Sequence, residues 1–380
     1  MRGGTSNAVV FHARDLPHER AQWDEIFLAA IGSPDPYGRQ LDGMGGGFTA
    51  VSKVCVIGPS TRPDADIDYT FAQIPVKEQR VEYAANCGNM SAAMGPFAVD
   101  EGLVPAPDQN GEALVRIHNT NTKKIIHARF PLVNGCVAVE GELEIPGIAG
   151  TGAPVRLDFV TPGGAATGKL LPTGKVRDTL EVPGVGKIEV SMIDAANPCV
   201  FVRARDLGLN GAEPPAEVEA NAAVMQKFAA IRCAASVAMG ITRDVNQAAT
   251  RLTNPAIGYV SPPQDGALSS GAVLRADQID ITGRMIARGQ AHRDMPLTRA
   301  LCMAVAARIT GTVVHEMTRA TDHPDAELRI GMPAGVITAA AEVRLRNGAW
   351  VAERGSFMRT QRRLFEGSVL VRSALMAHSA

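Results

Sequence analysis

Residues Val81–Val104 read VEYAANCGNMSAAMGPFAVDEGLV. A strand-like lead at Val81 and Tyr83 runs into Asn86-Cys87-Gly88-Asn89, and Met90 to Val99 then supplies the small and apolar residues of a closely packed, buried helix. That order sets a thiol at a helix start. There, unpaired N–H groups and the positive end of the helix dipole favour a thiolate and hold carboxylate oxygens. Cys87 is thus a candidate reactive thiol, with Gly88 and Asn89 beside it as anion donors. It reads equally as a small core residue, with Asn86 or Asn89 as an ordinary cap. The stretch by itself leaves both readings open.

The rest of the composition bounds what that helix can belong to. A chain of 380 residues exceeds one ordinary core, so two domains are expected, 1–185 and 186–380, with the last strands returning to the first. Apolar residues make up 46% and aromatics only 4%, and there are 38 glycines and 24 prolines, which favours small-residue packing and many turns. A net charge of -1 provides no basic field for nucleic acid or an anionic membrane, so a small, locally bound substrate is the expected partner. The six cysteines (Cys55, Cys87, Cys136, Cys199, Cys233, Cys302) lie far apart without metal-ligand spacing and read as reduced thiols. No apolar span reaches bilayer length and the start lacks the plan of an export signal, so a soluble, cytoplasmic protein is expected.

Outward from the central stretch, Arg2 to Ser6 forms a Gly-rich turn whose N–H groups, hydroxyls and guanidinium suit a carboxylate or make a plain turn. The turn either opens the chain as its functional loop or follows a strand this sequence lacks. Trp23 to Ile31 has helical spacing, and Gly32 to Gly47 is a glycine-rich connection. Phe48 to Ile57 reads as a buried strand carrying Lys53. That lysine is an edge charge reaching solvent or an amine set in a pocket, where burial would favour the neutral form a general base needs. Further strands are expected at Ile67–Ile74, Ala113–Asn119, Lys124–Phe130 and Val137–Leu143. The glycines at Gly163, Gly164 and Gly168 lack Walker spacing and do not make a nucleotide loop.

The second half repeats the plan. Strands are expected at Lys187–Ile193, Cys199–Arg203 and Ala256–Ser261, with a turn at Asn197-Pro198, and helices at Ala216–Met239 and Gly283–Gly289. A polar loop containing His292 then leads through Met295-Pro296-Leu297-Thr298 into an apolar helix from Ala300 to Ile309, with Pro296 in its first turn. His292 and Thr298 read as hydrogen-bonding site residues, or as a solvated histidine and an ordinary helix-start hydroxyl. Strands at Glu327–Ile330, Gly335–Arg344, Trp350–Phe357 and Ser368–Val371 complete the reading.

Several strings together resemble one family. RGGTS at Arg2–Ser6, SKV at Ser52–Val54, DYTFAQ at Asp68–Gln73, NCGNMSAAMGPFAVDEGL, TGAPVRLDF, DAANPCVFV at Asp194–Val202 and RTQRRLFEG at Arg359–Gly367 are similar to the PrpF isomerases over nearly the whole chain. The resemblance implies an α/β (α+β) fold of two diaminopimelate epimerase-like domains, each an antiparallel sheet curled around a central helix, with the active site between them. It implies that Lys53 and Cys87 carry proton chemistry, and that Gly4, Thr5, Ser6, Asn86, Gly88 and Asn89 hold substrate carboxylates. Ser52, His292, Leu297 and Thr298 complete the expected substrate site. Relatives commonly carry lysine after RGGTS, where this chain has Asn7, a change that bears on substrate charge or size. Near Leu297 and Thr298 the epimerases have a second cysteine, which this chain lacks, so two-thiol racemisation is not expected.

The family includes 2-methylaconitate isomerase, methylitaconate isomerase and 4-oxalomesaconate tautomerase. The DYTFAQ and NCGNM forms and MPLTRALCMAVAARITGTVV point towards the oxalomesaconate branch, with methylaconitate isomerisation second and a non-catalytic carboxylate binder as the alternative of another class. Allylic proton transfer within a small unsaturated di- or tricarboxylate needs neither cofactor nor metal. A homodimer is the assembly this reading leaves open.

Overall fold

The computed structural model describes residues 1–84, 86–106, 109–251, 254–287, 289–321, 323 and 326–371. It divides into two units, Met1–Leu157 with Met358–Ala380 and Asp158–Phe357. The boundary expected near 185 lies earlier because the strand Asp178–Val182 pairs with Gly186–Ala195, the opening strand of the second unit's sheet. At Met358 the chain returns to the first unit, where Gln361–Arg362 pairs with Arg2–Gly3.

In the first unit the helix Gly88–Asp100 is central. It packs on strands Lys53–Pro59, Gly111–Asn119, Lys124–Val133 and Cys136–Val137. Every residue from Gly88 to Val99 except Asn89 is buried, as the run of alanine, glycine and methionine requires of a helix surrounded by sheet. Strand periodicity divides the neighbouring side chains. Val54 and Val56 pack on the helix Trp23–Ile31 together with Ala72 and Ile74. Lys53 and Cys55 take the other face, opposite Gln73 and Phe71 in register. Two-residue alternation therefore sets the Lys53 amine and the Cys55 thiol side by side.

The second unit repeats the arrangement around the helix Leu297–Ala307, buried from end to end and packed on Gly186–Ala195, Asn197–Arg203 and Gly335–Arg346. The other sheet face carries a core of Val190, Met192, Val200, Val202 and Tyr259 against Phe228 and Ile231 of the helix Ala222–Ala238. Each unit is thus a sheet curled around one helix, the diaminopimelate epimerase-like plan. The sheets are mixed and not purely antiparallel. Val9–His12 runs parallel to Lys53–Pro59 and Ile67–Gln73 to Gly111–Asn119 in the first unit. In the second, Asn197–Arg203 runs parallel to Ala256–Ser261 and Ile281–Ala287 to Leu328–Met332.

Four local expectations are corrected. Gly283 to Gly289 is no helix: Ile281–Ala287 is a strand, paired with Ala256–Ser261 and Leu328–Met332. Sheet partners on both sides outweigh the helical preference of Arg284, Met285 and Ala287. A Cβ at Gly283 would stand 2.9 Å from Met303 Sδ on the central helix, so the glycine lets strand and helix approach closely without moving that side chain. The turn expected at Asn197-Pro198 lies one residue earlier, at Ala196 with φ 59°, and Asn197–Arg203 is strand. Pro296 is the N-cap, with extended ψ of 133°, and the helix begins at Leu297. Ser368–Val371 forms no strand, whereas Gln361–Arg362 does. Among the described residues no helix is long and apolar enough to cross a membrane.

Candidate active site

Lys53 and Cys87 both lie in the first unit, and their surroundings differ. Lys53 is 6% exposed and its Nζ donates to Gln73 Oε1 at 2.6 Å. The Gln73 amide is fixed from behind, its Nε2 donating to the Ser52 carbonyl at 2.8 Å and the Thr49 carbonyl at 3.2 Å. The Phe71 ring centroid lies 5.5 Å from the amine, offering its negative π face. Ser52, expected to touch substrate, is fully buried: its hydroxyl lies 2.7 Å from Gln40 Oε1 and 2.9 Å from the Phe48 carbonyl oxygen. It anchors the strand bearing Lys53.

Cys87 is half-buried and caps the helix Gly88–Asp100, where its backbone φ of −103° and ψ of 101° are extended. The first N–H groups beyond it have no acceptor one turn earlier in the helix. A second thiol, Cys55, lies on the strand that carries Lys53, its Sγ 3.8 Å from the Tyr69 hydroxyl. Burial pushes the Cys55 thiol up to about 12; Cys87 nearby adds to the rise and Lys53 opposes it. Burial likewise raises Tyr69 well above the usual phenol range, with Cys55 and Cys87 contributing. Cys55 and Tyr69 therefore stay protonated at neutral pH. Asn86 is 5% exposed, accepts from Ser91 Oγ at 3.2 Å and Asn119 Nδ2 at 3.3 Å, and its own Nδ2 has no partner among the described residues.

The Gly-rich turn lies on this helix start. Gly3 pairs with Ser6 across the turn, Gly4 N–H donates to the Thr360 carbonyl at 2.9 Å, and Asn89 Nδ2 donates to Thr5 Oγ1 at 3.0 Å. Gly4 has φ 50°, and a Cβ there would stand 2.1 Å from Asn89 Oδ1, so only glycine brings the turn so near the helix. Ser6 is buried. Asn7 pairs opposite Arg2, and both Arg2 and Arg359 bring a guanidinium to this turn.

The remaining expected residues, His292, Leu297 and Thr298, lie in the second unit. Thr298 is 4% exposed and its Oγ1 accepts from Asn197 Nδ2 at 2.7 Å. Leu297 is buried beside it, and the half-buried His292 follows the strand Gln290–Ala291. Reading by residue type missed Gln73, Cys55, Tyr69, Asn197 and Arg359. The strand pairing of Lys53 was the signal able to find Gln73, and two-residue alternation along its own strand the one able to find Cys55.

A family profile described as PrpF protein matches residues 1–372. The chain belongs to the PrpF family. Among its relatives, the 3-methylitaconate isomerase of Eubacterium barkeri is 40% identical over 376 residues, spanning 98% of this chain and 96% of its own length. The 2-methyl-aconitate isomerase of Shewanella oneidensis is 37% identical, with 98% and 95% covered, and the 4-oxalomesaconate tautomerase of Pseudomonas putida 36%, with 98% and 94%. The crystal structure of a methylitaconate-delta-isomerase superposes with a TM-score of 0.85 at 40% identity, covering 99% of this chain and 95% of that one. Like these PrpF relatives, the chain is an isomerase.

Proposed function

We propose that this PrpF protein moves a carbon–carbon double bond within a small unsaturated di- or tricarboxylate by allylic proton transfer. The carrying observation is a buried amine, Lys53, held at 2.6 Å by Gln73, in the same unit as a thiol, Cys87, at the start of the buried central helix. Lys53, in its neutral form, takes the proton from the carbon at one end of the allylic system. The C–H electron pair becomes a new double bond, and the old one delocalises into the conjugated carbonyl as a dienolate. Collapse of the dienolate takes a proton from Cys87 at the other end, and a proton passing from ammonium to thiolate restores both groups. Reactants and products thus balance by proton movement alone. Helix N–H groups offset the negative charge that develops on the carbonyl oxygen, and the Gly-rich turn, with the Thr5 hydroxyl, takes a substrate carboxylate. A single-amine shuttle on one face gives the same product, and label retention distinguishes it from exchange with solvent.

The identities of 40%, 37% and 36% are too close to order the branches. The DYTFAQ and NCGNM strings support 4-oxalomesaconate as the first substrate to test, with 2-methylaconitate second and Asn7 as the residue bearing on the choice. The test follows ultraviolet absorbance of these acids and, in D₂O, the allylic protons by NMR. Lys53→Met and Cys87→Ser should each lower turnover by ~10²- to 10⁴-fold. Wild-type turnover in both variants would refute the assignment.

A further inference from the structure

Arg359 lies 270 residues from Asn89 in the chain, yet its Nε donates to Asn89 Oδ1 at 3.3 Å. A guanidinium has only donors. Asn89 must therefore present its oxygen to Arg359 and its NH₂ to the other side, where it donates to Thr5 Oγ1 at 3.0 Å. Thr5 thus receives a hydrogen bond, and its own proton donates to no group among the described residues. The hydroxyl is half-buried, its methyl 3.4 Å from the position of a Cβ on Gly147. Arg359 is itself only 8% exposed, its Nη1 donating to the Met358 carbonyl at 2.7 Å and its Cδ lying 3.0 Å from the position of a Cβ on Gly4. Were the guanidinium absent, the two ends of the amide would be nearly interchangeable, and Asn89 could turn its oxygen towards Thr5 and absorb the hydroxyl proton.

We propose that Arg359 is a positioning residue: acting through Asn89, it fixes the direction of donation so that Thr5 offers its proton to a substrate carboxylate. This deepens the function proposed above and rests on its placing a carboxylate at the Gly-rich turn.

The test measures kcat and KM on the acid turned over by the wild type, and mesaconate binding by calorimetry. One hydrogen bond from a hydroxyl to a carboxylate corresponds to roughly 10- to 100-fold in affinity. Thr5→Val and Arg359→Met are each expected to raise KM by about that factor, with the loss falling on KM and not kcat, while Arg359→Lys, also a pure donor, restores most of it. In the double variant Thr5→Val/Arg359→Met the Arg359 change should add nothing, because its effect passes through a hydroxyl that is gone. Multiplying losses would overturn the proposal. If Arg359→Met does not fold, Asn89→Asp decides: its carboxylate accepts the Thr5 proton, so mesaconate binding should fall at least as far as in Thr5→Val, and wild-type affinity would overturn the proposal. A wild type that isomerises no acid refutes the proposed function instead, a different outcome from a wild type that turns over while these variants bind normally.

Discussion

Replacing Gly4 by alanine is expected to loosen the first unit and the turn together. The residue sits at φ 50°, where an L side chain costs about 1 kcal/mol or more. The added methyl would stand 2.1 Å from Asn89 Oδ1 and 2.9 Å from its Cγ, so the asparagine must swing away. Its bonds to Thr5 at 3.0 Å and from Arg359 at 3.3 Å then go, at about 1 kcal/mol each. The sum, about 3 kcal/mol, should lower the melting temperature of a domain this size by roughly 6–12 °C. Gly150 supplies the control: it has φ 78° and nothing within 4 Å of a built Cβ, so Gly150→Ala carries only the backbone cost, about 1 kcal/mol. Differential scanning calorimetry of both variants, with KM measured well below either transition, separates clash from backbone strain. Equal shifts in the two proteins, or an unchanged KM in Gly4→Ala, would refute the reasoning.

Three further outcomes follow from geometry already described. Gln73→Leu removes the acceptor 2.6 Å from the Lys53 amine, and steady-state kinetics should show kcat reduced about 10- to 100-fold in a protein whose circular dichroism is unchanged. Alkylation of the native protein at pH 8, read by peptide mass mapping, should modify exposed Cys136 first and leave Cys55 untouched, since Cys55 is buried and pushed up to about 12. The Arg203 guanidinium, bonded to Glu316 at 2.6 Å, holds that carboxyl below its ordinary value of 4.5. Because the folded value is depressed, the pair's contribution, up to about 1 kcal/mol, is whole above pH 4.5 and fades as pH falls through the folded value. The melting difference between wild type and Glu316→Gln should therefore shrink on acidification, and a constant difference from neutral pH to about pH 3 would contradict it.

Much of the architecture around Cys87 was legible because small residues in an unbroken run leave few options besides a surrounded helix, and the family strings span both halves. Lys53 stood out for the same reason, as one charge inside an apolar strand. What stayed hidden depended on partners remote in sequence. Arg284, Met285 and Ala287 prefer helix locally, and only their pairing with Ala256–Ser261 and Gln290–Ala291 makes them strand. Ser52 looked like a site hydroxyl beside Lys53, but alternation sends it to the opposite face, against Gln40. Gln73 and Arg359 carry no local mark at all; one acts across a strand pair, the other across 270 residues.

Gln40 has a wider consequence. Its side chain donates to Ser33 Oγ at 2.8 Å, accepts from the Gly47 N–H at 2.9 Å and meets the Ser52 hydroxyl at 2.7 Å, so one amide clasps both ends of the glycine-rich connection and the residue preceding Lys53. The connection is thereby a mechanical lever on the amine. Lengthening or shortening it is expected to shift the Lys53 amine while leaving the residues proposed to meet the substrate unchanged, which makes this distal span a place for divergence, and for engineering, to act on the enzyme.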